Sequence, residues 1–146
     1  MLVDFAAAFV LLIGLMLYYG LVPGVEVLTL PFFLLFAYVT ALTVSIWLSA
    51  SNVKYRDIVY VIPVVMQFWL FLTPVAYPSS LVPEEWRLLY GLNPMVGVVE
   101  GFRWALLGTS SATGGMVFVS LGAVIVLAAT GLVYFRRMEH QFADVV

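Results

Sequence analysis

The chain has 146 residues, of which 64% are hydrophobic and only 10% charged, and its mean hydropathy is +1.12. A soluble domain carries about 25% charged residues, so this chain cannot clothe itself in a polar surface and reads as an integral membrane protein. A formal charge of −2 leaves no basic stripe for phosphates, which excludes nucleic acid as a partner, and the lack of cysteine excludes disulfides and thiolate metal sites.

Crossing the hydrocarbon core takes roughly 20 apolar residues. Four stretches qualify, at about 2–22, 27–50, 58–77 and 115–135. The first lacks a basic leader and a small-residue cleavage site, so it reads as a retained span. Pro23-Gly24 turns the chain into the second stretch. That stretch carries Ala41, Ser45 and Ser49 at four-residue spacing, a pattern that lets another helix approach closely. Packing is the preferred reading there, with hydroxyls lining a path as second choice. The loop Lys54, Tyr55, Arg56, Asp57 follows. On its residues alone it is either a headgroup anchor, preferred about two to one, or a docking point for a cytoplasmic partner.

The third stretch is the least ordinary. Pro63 and Pro74 predict kinks, and Gln67 shares a face with Pro63, Phe71 and Pro74. An amide in hydrocarbon needs a partner, so this face is expected to point inward. Helix packing and pore lining are equally good readings of Gln67; neighbouring Phe68 and Trp69 are aromatic enough to meet a sugar ring, although facing lipid or packing is the more usual role of aromatic residues in a membrane helix.

Residues 78–114 are apolar yet broken by Pro and Gly. Pro83-Glu84-Glu85 opens one short helix, on which Trp86, Leu89 and Tyr90 share a face. Asn93-Pro94 restarts a second, of roughly 14 residues, too short to cross. Glu100 and Arg103 lie one turn apart in it and can neutralise each other. Re-entry into the membrane is favoured over two helices lying flat at the surface. The fold class expected is therefore all-α integral membrane: a single domain of about four transmembrane helices plus two short re-entrant or interfacial helices on the external side, at about 83–107.

Four of the six basic residues lie in the Lys54 loop or the tail with Arg136 and Arg137, against Arg87 and Arg103 on the other side, which favours the first side and both termini in the cytoplasm. There is no phosphate-binding loop, no dinucleotide fingerprint and no internal repeat. The lone His140 and the scattered carboxylates offer no metal or catalytic cluster, so neither cofactor nor enzyme activity is expected. No carboxylate lies deep in a span, which argues against proton coupling. If the chain moves something, another chain supplies the energy.

The runs NVKYRDIVYVIPVVMQFWLFLTPVAYP, LVPEEWRLLYGLNPMVGVVEGFRWALLG and YFRRMEHQFADVV together resemble the permease subunit of polysaccharide and polyol-phosphate ABC exporters, the type-2 permeases of O-antigen, capsule or teichoic acid export. The resemblance covers nearly the whole chain. It implies a plasma-membrane (inner-membrane), multi-pass homodimer, each copy served by a cytoplasmic ABC ATPase subunit, with a glycan or lipid-linked polymer threading between the two copies in contact with membrane lipid. It implies that Lys54, Tyr55, Arg56 and Asp57 face the ATPase, shifting the preference away from a mere anchor. Gln67, Phe68, Trp69 and Phe71 become candidates for the translocation path, and Trp86, Tyr90, Glu100, Arg103 and Trp104 for an external gate. Family permeases have six spans, and VDFAAAFVLLIGLMLYYG resembles the third, so the chain looks like the C-terminal half or two-thirds of a permease. Competing readings are a related type-2 permease for a drug or lipid, a non-transporting membrane scaffold, and a membrane transferase, the last lacking a cluster of acids or histidines at one interface.

Overall fold

A computed structural model describes residues 2–55, 57–108 and 114–143. Among them the chain is all-helical. It forms α1 (Leu2–Tyr18), a 3-10 turn (Val25–Thr29), α2 (Leu30–Lys54), α3 (Ile58–Leu72), a second 3-10 turn (Ser79–Leu81), α4 (Glu84–Tyr90), α5 (Pro94–Leu107) and α6 (Gly114–Ala143).

Local chemistry sets these boundaries. α1 stops short of the expected 22 because Gly20 takes φ +70, a left-handed conformation that lets the Leu21 N–H donate back to the Met16 carbonyl at 2.8 Å. α2 opens with Pro31 in its first turn, where a missing N–H costs nothing. α3 continues through Pro63 but ends at Leu72, not near 77. A residue before proline is pushed out of the helical region, and Thr73, preceding Pro74, is extended at φ −111, ψ 137. Pro74 therefore terminates the helix; it does not kink it. The face expected to align Pro63, Gln67, Phe71 and Pro74 ends at Phe71.

Among the described residues, two segments have the length and apolar character to cross a membrane: Val25–Asn52, which takes in most of α2, and Gly114–Arg137 within α6. Of the four expected stretches, the helices α1 and α3 are shorter, at 17 and 15 residues. At about 1.5 Å per residue they reach roughly 25 and 22 Å, less than the ~30 Å of a hydrocarbon core.

The core lies where α2, α5 and α6 meet. Phe33 and Phe36 of α2, Val98 of α5 and Val124 of α6 form its centre, with Met95, Phe102, Trp104, Val117 and Leu121 packed around them. Further along, Trp47 of α2 stacks on Tyr134 of α6, ring centroids 5.0 Å apart. Moving up α2 thus means moving up α6, so the two long helices run in the same direction. The Lys54 end of α2 and the Arg136–Arg137 region of α6 therefore lie at one end of the molecule.

Ala41, Ser45 and Ser49 do not form the packing stripe expected of them, because all three are exposed. The buried face of α2 is instead Phe33, Phe36, Thr40, Thr43 and Ala50. Small residues do allow close approach, but they sit on the partner helix. A Cβ added at Gly97 would meet Ser120 Cβ at 2.6 Å, and one at Gly101 would overlap the Phe33 ring. Gly97 and Gly101 are one turn apart and open a groove on α5 into which the rings of α2 fit.

α5 is consequently the most enclosed helix. Pro94, Val96, Gly97, Val98, Glu100, Gly101, Ala105 and Leu106 are all buried. α3 is the reverse, with no buried residue at all.

Candidate functional site

Polar side chains concentrate where the end of α3 meets α4 and α5. The α3 helix leaves its last carbonyls without helical partners, and such groups must find donors elsewhere. Asn93 supplies one: its Nδ2 donates to the Leu72 carbonyl at 3.0 Å and to Thr73 Oγ1 at 3.1 Å. The same side chain caps α5, its Oδ1 accepting from the Met95 N–H at 3.1 Å. One amide thus closes the end of one helix and the start of another. Thr73 Oγ1 in turn donates to the Trp69 carbonyl at 2.9 Å.

Arg103 supplies the second donor. Its Nη2 reaches the Pro74 carbonyl at 2.9 Å, while Nη1 pairs with Glu100 Oε1. The Glu100 side chain is fully buried and the Arg103 side chain 22% exposed. A carboxylate in such surroundings is tolerable only with a cation and hydrogen bonds to hold its charge. The pair predicted from spacing is therefore real, and its cation also binds the chain just past the end of α3. A guanidinium at a helix C-terminus further suits the negative end of the dipole.

Tyr77 and Tyr90 complete the clasp. Their hydroxyls are hydrogen-bonded to each other, and the Tyr77 hydroxyl also lies 2.8 Å from the Phe71 carbonyl, to which it can donate. Burial, the bond to Tyr77 and the nearby charge of Glu100 push the Tyr90 phenol well above its ordinary value. From α6, Ser120 Oγ donates to the Gly91 carbonyl at 2.8 Å, fixing the turn between α4 and α5. On α4, Arg87 donates through Nε to the Val82 carbonyl at 3.0 Å and faces Glu84 at 3.5 Å.

The candidate gate residues divide. Tyr90, Glu100 and Arg103 come together in the clasp. Trp104 packs against the core cluster, and Trp86 stands 59% exposed on α4 beside exposed Leu89. The candidate path residues Gln67, Phe68, Trp69 and Phe71 all lie on α3 and are exposed on this chain, so Gln67 meets no inward face within it. Of the candidate partner loop, Tyr55 and Asp57 are exposed. Asp57 occupies the N-cap position of α3 without a side-chain capping bond. Lys54 closes α2, its side chain lying outside the described atoms, and Arg56 lies outside the described residues.

Sequence reasoning found Asn93 as a cap but missed its reach to α3, and it missed Tyr77, Ser120 and the Gly97–Gly101 groove. The available signal was a lone amide in an apolar run, which demands a partner that spacing alone does not identify. Among the described residues no group of His, Cys, Asp or Glu is arranged to hold a metal ion.

Comparison with known proteins gives this geometry a context. The pattern of the ABC-2 type transporter family matches residues 1–107. The chain is 28% identical over 140 residues to the O-antigen export system permease protein RfbA of Myxococcus xanthus, covering 93% of this chain and 54% of that protein. Against a protein of the same name from Klebsiella pneumoniae it is 24% identical over 130 residues, covering 88% and 49%. A second Klebsiella pneumoniae relative of that name is 20% identical over 138 residues, covering 92% and 52%. The chain spans about half the length of the curated relatives it matches. No solved structure matches it.

Proposed function

Because this chain belongs to the ABC-2 type transporter family, we propose that it acts as the membrane-embedded portion of a permease that exports polysaccharide or lipid-linked glycan, driven by ATP hydrolysis on a separate cytoplasmic subunit. The similarity to three O-antigen export permeases supports the cargo class. The observation that carries the transport reading is α5. A 14-residue helix, too short to span, is enclosed between two long apolar helices. Its Gly97 meets α6 at Ser120, only six residues past Gly114 and so roughly 9 Å along that helix. A helix lying flat on a surface would keep a polar face in water; this one fully buries the Glu100 carboxylate against Arg103. That arrangement supports a hairpin of α4 and α5 dipping into the outer part of the membrane and returning.

In this reading α1 and α3 complete spans together with their non-helical ends, giving four crossings. Both termini and the loop Lys54, Tyr55, Arg56, Asp57 lie in the cytoplasm of a plasma-membrane protein, facing the ATPase. Trp86, Tyr90, Glu100, Arg103 and Trp104 belong to an external gate. Two copies enclose the path, with Gln67, Phe68, Trp69 and Phe71 of α3 turned toward it. The uncovered apolar length of α3 supports this last point, since an exposed surface of that size calls for lipid or protein to cover it.

The test is co-purification of the chain with an ABC ATPase whose hydrolysis rises on binding, followed by glycan export in cells. Association and stimulated hydrolysis are expected. No association with any ATPase would refute the permease reading, and stimulation by a drug or lipid in place of glycan would reassign the cargo.

A further inference from the structure

The body of α3 has no buried residue, yet burial begins abruptly at its end: Thr73 is 3% exposed and Pro74 is fully enclosed. At that point two side chains from opposite ends of α5 grip it, Asn93 on Leu72 and Thr73, and Arg103 on Pro74. Tyr77 adds a link to α4 through Tyr90. The long shaft is therefore loosely held along its sides and firmly held at its tip. α3 stays helical through Pro63, although that proline removes one bond of the ladder, and a shift at the start of α3 is carried along the helix axis to Leu72.

Resting on the permease reading above, we propose that the Asn93–Arg103 clasp makes α3 and α5 one mechanical unit, through which a displacement at the charged end of the molecule is delivered to the outer hairpin. Asn93 and Arg103 are positioning residues in this scheme. They bind no cargo; they determine whether α5 follows α3. The partners at the clasp suit that task. Two of the grips are donor-to-carbonyl bonds across a span of three residues, and the Glu100 charge keeps the Arg103 guanidinium in place. By contrast, α5 meets α2 and α6 mainly through apolar packing over glycine, with a hydrogen bond from Ser120 of α6 to the Gly91 carbonyl at the α4–α5 turn.

The absence of native cysteine allows spin labels to be placed cleanly. Labels at Met66→Cys on α3 and Leu107→Cys on α5 report the unit, since both positions are exposed. Labels at Met66→Cys and Phe118→Cys report movement of α3 against α6. In the permease alone, the Met66–Leu107 distance distribution is expected to be narrow and to broaden at least twofold in Asn93→Asp combined with Arg103→Lys. Asn93→Asp retains the cap on α5 while losing the donor to α3, and Arg103→Lys retains the charge beside Glu100 while losing the fork, so the hairpin is kept folded. In the assembled complex turning over ATP, the Met66–Phe118 distance should shift while Met66–Leu107 does not. The paired variant should still hydrolyse ATP but lose at least tenfold in export. A Met66–Leu107 distance that changes with ATP, a variant distribution as narrow as the native one, or a fixed Met66–Phe118 distance would each overturn the proposal. Failure of any ATPase to associate would strike the permease reading instead, leaving the comparison of widths in the isolated chain to stand.

Discussion

α5 and α3 are neighbours joined by hydrogen bonds, yet they are built on opposite plans. α5 is short, has two glycines on its packed face and buries a charged pair. α3 is of similar length, has aromatic and branched side chains all round, and covers none of them within the chain. This polypeptide thus finishes its packing around α5 and leaves it unfinished around α3. In a soluble protein an uncovered helix of that composition would be an aggregation liability. In a membrane it is a surface for lipid or for another copy.

That contrast sets an order of sensitivity. Removing Arg103 should do the greatest harm. Arg103→Met leaves the enclosed Glu100 without its cation, and breaking a buried pair from one side costs about 3 kcal/mol or more. Thermal unfolding in detergent, followed by circular dichroism, should show the loss, and Glu100→Gln in the same chain should recover part of it. Gly101→Ala comes next, at about 2 kcal/mol, because its methyl would overlap the Phe33 ring. The matched control is Gly14→Ala in α1, where nothing lies within 4 Å; it should be neutral or stabilising by up to about 1 kcal/mol.

Asn93→Ala should follow at about 1.5 kcal/mol, the cost of a lost helix cap and two hydrogen bonds. Hydrogen exchange should then rise at the end of α3 as well as the start of α5; a rise confined to α5 would mean that the clasp does not hold α3. Smallest of all, Gln67→Leu should change the stability of the isolated chain by less than about 0.5 kcal/mol, since Gln67 is exposed on it. An effect as large as that of Gly101→Ala would erase the distinction between the two helices.

Much of this contrast was legible in the sequence, and its limits follow from chemistry. Asn93-Pro94 marks the start of α5 because cap and first-turn proline act locally, and Glu100 with Arg103 reads as a pair because helical spacing brings them together. The four apolar stretches each contain a helix, but Gly20 and Pro74 cut α1 and α3 shorter than hydropathy suggested. The packing stripe was placed on the wrong side of the contact. Ala41, Ser45 and Ser49 have the right spacing, yet spacing says only that a helix could approach there. The actual approach is set by Phe33 and Phe36 fitting Gly97 and Gly101, a match between segments more than 60 residues apart. The reach of Asn93 to Leu72, and of Arg103 to Pro74, is non-local in the same way.

In the proposed topology the clasped hairpin faces outward while the Lys54 end of the long helices faces the cytoplasm. With no native cysteine, single replacements Glu85→Cys in the first turn of α4 and Tyr55→Cys after α2 can be probed in intact cells with a membrane-impermeant thiol reagent, both positions being exposed. Glu85→Cys should be labelled from outside, and Tyr55→Cys only after the membrane is permeabilised. The reverse pattern, or labelling of both from one side, would contradict the account.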